Sequence, residues 1–242
     1  MLHFPGYSWY SATMKHIPAA ILALITVFLM SSCTSANPSR RYPNMVADLD
    51  PISVGTVQAV FDRLLSSRLD NRDIEVIFYP RLNAVALEFR HEFVTYRQFW
   101  NQEARRLFIA ALDRYKADFE ARNLVDRYNR TRSAYGRVSG RVEWETFRLS
   151  RTYASAPIIE LGYRFRSDSP FFATLMRSAK AEDTSGSSPD IQSQQINMYF
   201  TRAQADELAR LFDQPFLLEF IGERPDFSFQ PLTADSYIEF DD

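Results

Sequence analysis
The pattern of hydrophobic residues predicts an α+β fold: a single domain whose antiparallel sheet of about six strands packs against helices, including one long amphipathic helix. Three observations carry this prediction. Apolar residues recur in steps of three and four over residues 53–69 and 93–122, the spacing of a helix face. From Tyr135 onward they alternate singly, the period of a half-buried strand. Turn signals such as Pro80-Arg81 and Asp168-Ser169-Pro170 separate the runs.

Taken in order, the first helix runs from Ser53 or Val54 to Leu69, with Val57, Val60, Phe61, Leu64 and Leu65 inward. Asp73 to Tyr79 and Leu82 to Arg90 read as two strands joined at Pro80-Arg81. The long helix spans Phe93 to Arg122, with a stripe of Phe93, Tyr96, Trp100, Leu107, Ala111, Tyr115 and Phe119 facing the sheet. Next, Val138, Val142 and Trp144 share one side of a strand, and Ile159, Leu161, Tyr163 and Phe165 one side of another. Phe171 to Lys180 and Ile191 to Phe200 complete the sheet around a polar loop at 181–190. Thr201-Arg202-Ala203-Gln204 is a capping box that opens a helix reaching about Asp213, which Pro215 ends.

The globular domain is therefore placed at 51–214, followed by an aromatic and acidic tail at 215–242. Residues 33–50 read as a tether stiffened by Pro38 and Pro43. Residues 1–32 read as a signal peptide: Met14, Lys15 and His16 form a short basic region, and Ile17 to Leu29 form the apolar run. The aromatic stretch before Met14 suits no signal peptide, so translation is expected to start at Met14.

Leu29-Met30-Ser31-Ser32-Cys33 resembles the lipobox of bacterial lipoproteins, with Met30 departing from the usual leucine in the relaxed manner of spirochaetal members. The resemblance implies cleavage before Cys33, acylation of that cysteine and a membrane anchor through its acyl chains. It covers about twenty residues and carries no information on the fold beyond them. Thr34 stands where an aspartate would resemble an inner-membrane retention signal, which leans the expected address toward the outer membrane. Whether the domain faces the periplasm or the exterior stays open.

Composition narrows the chemistry. With 28 basic and 30 acidic residues in 242, no excess of positive charge points to nucleic acid. Cys33 is the one cysteine, so neither a disulfide framework nor a thiolate metal site is expected. Cleavage would leave His91 as the one histidine, at a strand junction where a surface role is the expectation rather than catalysis. No catalytic residue, metal or cofactor is assigned. Glu143 and Glu145 share one strand face and could pair with Arg164 or Arg166 of the next strand.

Of the basic residues 25 are arginine and three lysine. Arginine forks suit carboxylates, phosphates and aromatic faces, so Arg137, Arg141, Arg164 and Arg166 form a candidate anion-binding patch, with coding bias the competing explanation. The function expected is a lipid-anchored, non-catalytic binding or scaffolding module with an envelope protein or glycan as partner. The alternatives are an envelope glycan or peptide hydrolase using carboxylates, and a carrier of lipid or another apolar ligand.

Overall fold
A computed structural model describes residues 42–62, 69–125, 134–146, 151–166, 168–182 and 191–223. The signal peptide, Cys33 and most of the tail lie outside the described residues, and every element below belongs to the unit that begins at Asn44. Ten strands form one antiparallel sheet: β1 (Ile52–Asp62), β2 (Leu69–Tyr79), β3 (Ala84–His91), β4 (Val94–Asn101), β5 (Gly136–Ser139), β6 (Arg141–Thr146), β7 (Thr152–Ser155), β8 (Ile158–Arg166), β9 (Ser169–Met176) and β10 (Ile196–Phe200). Three helices accompany them: α1 (Gln102–Glu120), α2 (Arg202–Phe212) and α3 (Gln214–Gly222). The expectation of about six strands beside a long amphipathic helix is thus overturned; the domain is mostly sheet.

Two predicted helices are strands in whole or part. Residues 52–62 are β1, whose inward residues are Ile52, Val54, Val57, Ala59 and Phe61. The register against β2 shifts between Ser53 and Gly55, and a bulge of this kind changes the parity of the alternation. That shift turned a period-two pattern into steps that imitate a helix. Residues 94–101 are β4, where Val94, Tyr96, Gln98 and Trp100 point inward. Phe93, expected to begin the core stripe, is instead 77% exposed beside Glu92, whose φ of +54° makes the tight β3–β4 turn. Helix α1 begins only after Asn101, whose side chain accepts a hydrogen bond from Ala104 N at 2.8 Å.

Other elements match their patterns. Val138, Val142 and Trp144 are all buried, as are Ile159, Leu161 and Tyr163. Thr201 and Gln204 form the reciprocal capping box of α2. Pro215 does not end the chain's helical part but sits in the first turn of α3, where its missing N–H costs nothing. Residues 44–50 are not a free tether: Val46 N donates to Pro80 O, Ala47 is buried, and Asp48 and Asp50 both pair with Arg81 of the β2–β3 turn.

The sheet order is β5-β8-β9-β10-β1-β2-β3-β4-β6-β7. Its two ends are one hairpin. The pairing of β6 with β7 (Val142 opposite Ser155) and of β5 with β8 (Ser139 opposite Ile158) continue each other in register. Between them Gly140 N donates to Pro157 O at 3.3 Å. Proline has no N–H to return that bond, so the ladder is interrupted there without losing register. Since β6 also pairs with β4 and β8 with β9, the hairpin is the seam that curls the sheet into a barrel-like wall. Contacts across the interior agree: Gln98 Nε2 lies 3.6 Å from Met176 Sδ, and Gln194 N donates to Tyr96 Oη.

Helices α1 and α2 close the end of this wall where β4 finishes and β1 begins. Trp100, Phe108, Phe172 and Phe212 stack there with centroids 5.0 to 5.7 Å apart. Arg105 of α1 pins the assembly and is 1% exposed. Its guanidinium donates to Phe212 O at 2.7 Å, Asn83 Oδ1 at 2.9 Å and Gln214 Oε1 at 2.8 Å. Burial pulls its pKa down to about 10, with Asp213 acting in the opposite direction, so it is charged at neutral pH. The carbonyl of Phe212 is at the C-terminus of α2, where the helix dipole favours a cation.

Two substitutions test this architecture. A Cβ on Gly140 would stand 3.0 Å from Ile159 Cδ1 and 3.2 Å from the Phe99 carbonyl, so Gly140→Val should lower stability by about 2 kcal/mol. Arg105→Ala strands several buried acceptors and should cost about 3 kcal/mol. Urea unfolding of the full chain checks both; wild-type midpoints would contradict the packing described.

Candidate functional site
The outer wall sorts the candidate residues. Glu143 faces Arg97 across β4 and β6, with Arg97 Nη1 at 3.8 Å and Arg141 Nε at 3.0 Å. Arg97 also holds Glu88 at 2.6 Å. The expected cross-strand partners Arg164 and Arg166 are therefore replaced by Arg97, because β6 pairs with β4 on that edge, while Arg141 flanks Glu143 on β6 itself. Glu143 and Glu145 line a dent of about 40 Å³, well below the volume range of small-ligand sites.

The four arginines of the proposed patch all lie along the bent hairpin but meet different surroundings. Arg166 donates to Asp62 at 2.6 Å and to Tyr199 Oη at 2.6 Å, and covers the Tyr199 ring at 4.6 Å. Arg141 is held by Glu143. Arg164 is half-buried and engaged. Arg137 is exposed and has no hydrogen-bond or ion-pair partner among the described residues. The hairpin does not gather the four into one patch, and of the four Arg137 is the one without such a partner among the described residues.

Arg137 borders a groove of about 360 Å³ on this wall, lined by Arg137, Pro157, Ile158, Glu160, Arg177, Ser178 and Ala179. Its origin is local. Pairing of β8 with β9 reaches Ile159 opposite Met176. Beyond that, Ser178 Oγ donates to Ser193 O at 2.6 Å and Ala179 N to Ser193 Oγ at 3.0 Å. This draws residues 177–179 toward the β10 side. Contact with the hairpin resumes where Glu182 N donates to Ala154 O. The strands part between these points, opposite Pro157.

Within the groove Glu160 is 4% exposed, lies across the ladder from Arg137 and accepts from Arg177 Nη2 at 3.3 Å. Ile158 shows 56% of its surface. The groove thus combines two guanidinium groups, one carboxylate and an apolar floor. Sequence reading found Arg137 but missed Arg177 and Ile158. Arg177 follows the end of β9, and only the parting of the strands brings it here.

His91 belongs to the interior rather than the surface. It is 3% exposed and stacks on Phe61 with centroids 5.5 Å apart. The expected surface histidine is therefore a core residue, placed inward by the period-two pattern of Val85, Leu87 and Phe89. Among the described residues no group of three His, Cys, Asp or Glu side chains is arranged to hold a metal ion.

Burial holds the His91 imidazole below its ordinary pKa; Glu92, Asp70 and Asp62 act in the opposite direction and Arg72 reinforces the fall. A depressed folded-state value means that the unfolded chain takes up a proton first on acidification. Stability should therefore decline as pH drops through about 6.5, until the folded histidine protonates too. His91→Gln should flatten this dependence between pH 7 and 5 in urea titrations; an unchanged slope would refute it.

Comparisons place the chain without naming an activity. Residues 51–219, from the edge of β1 into α3, match the model of a family described as an uncharacterised Treponema protein. No curated protein and no solved structure matches the chain. The matched span includes the barrel wall, the capping helices and the groove, and on this match the chain belongs to the family of the uncharacterised Treponema protein.

Proposed function
We propose that the protein is a lipid-anchored envelope lipoprotein whose domain binds a partner, without catalysis, at the groove beside Arg137. The observation that carries this reading is the division of labour in the wall. The interior is occupied by packed aromatic and aliphatic side chains, while the groove opens outward with charged and apolar lining. The groove's volume is at the lower end of the range for small-ligand sites.

The orientation of the wall supports a domain held in water beside the membrane. Ion pairs such as Arg97–Glu88 and Arg141–Glu143 lie on its outer face and apolar residues inside, the reverse of a barrel embedded in lipid. No helix among the described residues is long and apolar enough to cross a membrane. The anchor is then assigned to Cys33, whose relaxed lipobox suits a chain of a Treponema family. An outer-membrane address remains part of this proposal.

Metabolic labelling with palmitate tests the anchor. Wild-type protein should carry the label and sediment with membranes, and Cys33→Ala should lose both properties. Unlabelled wild-type protein would overturn the reading.

A further inference from the structure
Resting on the reading of the groove as a binding site, we propose that its ligand is an extended acidic polypeptide segment, held by a side-chain carboxylate on Arg137 and Arg177. Three features of the groove select this class.

The first is charge. Arg137 and Arg177 flank Glu160, whose carboxylate lies 3.3 Å from Arg177. Among the lining residues two guanidinium groups stand beside one carboxylate, an excess of positive charge. A ligand carboxylate meets that excess with a charge of opposite sign and accepts from the guanidinium forks. The Arg177 side chain is 70% exposed, and one contact to Glu160 leaves guanidinium donors for a second carboxylate.

The second is shape. About 360 Å³ accommodates one or two side chains. Ile158, Pro157 and Ala179 offer an apolar floor beside the arginines. An acidic residue and an apolar one two positions apart in an extended chain point to the same face and so meet both surfaces. The third is the backbone. The groove lies where β8 and β9 part, between the Ile159–Met176 pair and the Glu182–Ala154 contact. Parted strands offer main-chain edges along which an extended peptide can lie.

The test uses full-length protein in detergent micelles and three fluorescent, end-blocked hexapeptides with serine at every second position and Val alternating with Asp, Asn or Lys at the others, here Val-Asp, Val-Asn and Val-Lys. Anisotropy titration should show binding of Val-Asp at least tenfold tighter than of Val-Asn, and none of Val-Lys. Arg137→Ala, at an exposed position, should weaken Val-Asp binding about tenfold, the loss of one charge-assisted contact. Ile158→Asp should abolish it, with circular dichroism confirming the fold of both variants. Equal affinity for the three peptides, or an Arg137→Ala protein that binds as wild type, would overturn the proposal. Tighter binding of an oligogalacturonate than of Val-Asp would also overturn the polypeptide assignment while keeping the groove as a site. Failure of the groove reading itself would appear as no binding of any of these anions.

Discussion
Everything in this domain depends on one hairpin being shared by both ends of its sheet. Without the continuous pairing through Gly140 and Pro157, the wall would have two free edges and an interior open along its length. Free edges invite pairing with other chains, and an unclosed sheet would leave its aromatic face wet. Two residues make the bend possible for opposite reasons. Gly140 has no side chain where the Phe99 carbonyl and Ile159 come close. Pro157 has no N–H to complete the ladder. The relaxed ladder beside Pro157 is also where the groove forms, so the device that closes the fold also supplies its candidate site.

Charge is organised around that closure. Inside, Trp100 Nε1 donates to Gln98 Oε1, and Arg105 is encircled by carbonyl oxygens at the junction of α2 and α3. Outside, arginine rather than lysine knits neighbouring strands. Each cation–π contact among the described residues is made by an arginine, on Tyr135, Tyr153, Tyr199, Phe119 or Phe216. A planar guanidinium can stack and donate at once, as Arg166 does on Tyr199 and Asp62, which an ammonium cannot do as well. Whatever set the arginine excess, the fold uses it.

How much of this was legible varied with the length of undisturbed pattern. The strand around Val138, Val142 and Trp144 was readable because Gly140 falls in step with the alternation. The capping box at Thr201 was readable because capping is local chemistry. The first strand was misread because the irregularity at Ser53 and Gly55 moved Val57, Ala59 and Phe61 out of phase with Ile52 and Val54. The fourth strand and α1 were merged because Tyr96, Trp100 and Tyr115 fit a helical stripe as well as an alternating one. Asn101, the cap dividing them, was the overlooked signal. In the site, Arg137 was visible as one of many arginines. Its lack of a partner among the described residues, and the approach of Arg177 and Ile158, were not visible at all.

The sequence by itself determined the inward residues of the later strands, the start of α2 and the single cysteine on which an anchor can be built. These rest on covalent order and short-range periodicity, which a linear reading contains. Tertiary structure alone decided that ten strands curl into one wall, that His91 and Arg105 are buried, and that a groove opens beside Pro157. Those outcomes come from pairing between residues far apart in the chain, such as Gln98 with Met176 or Asp62 with Arg166. No local pattern encodes which distant strand will complete a residue's hydrogen bonds or cover its side chain.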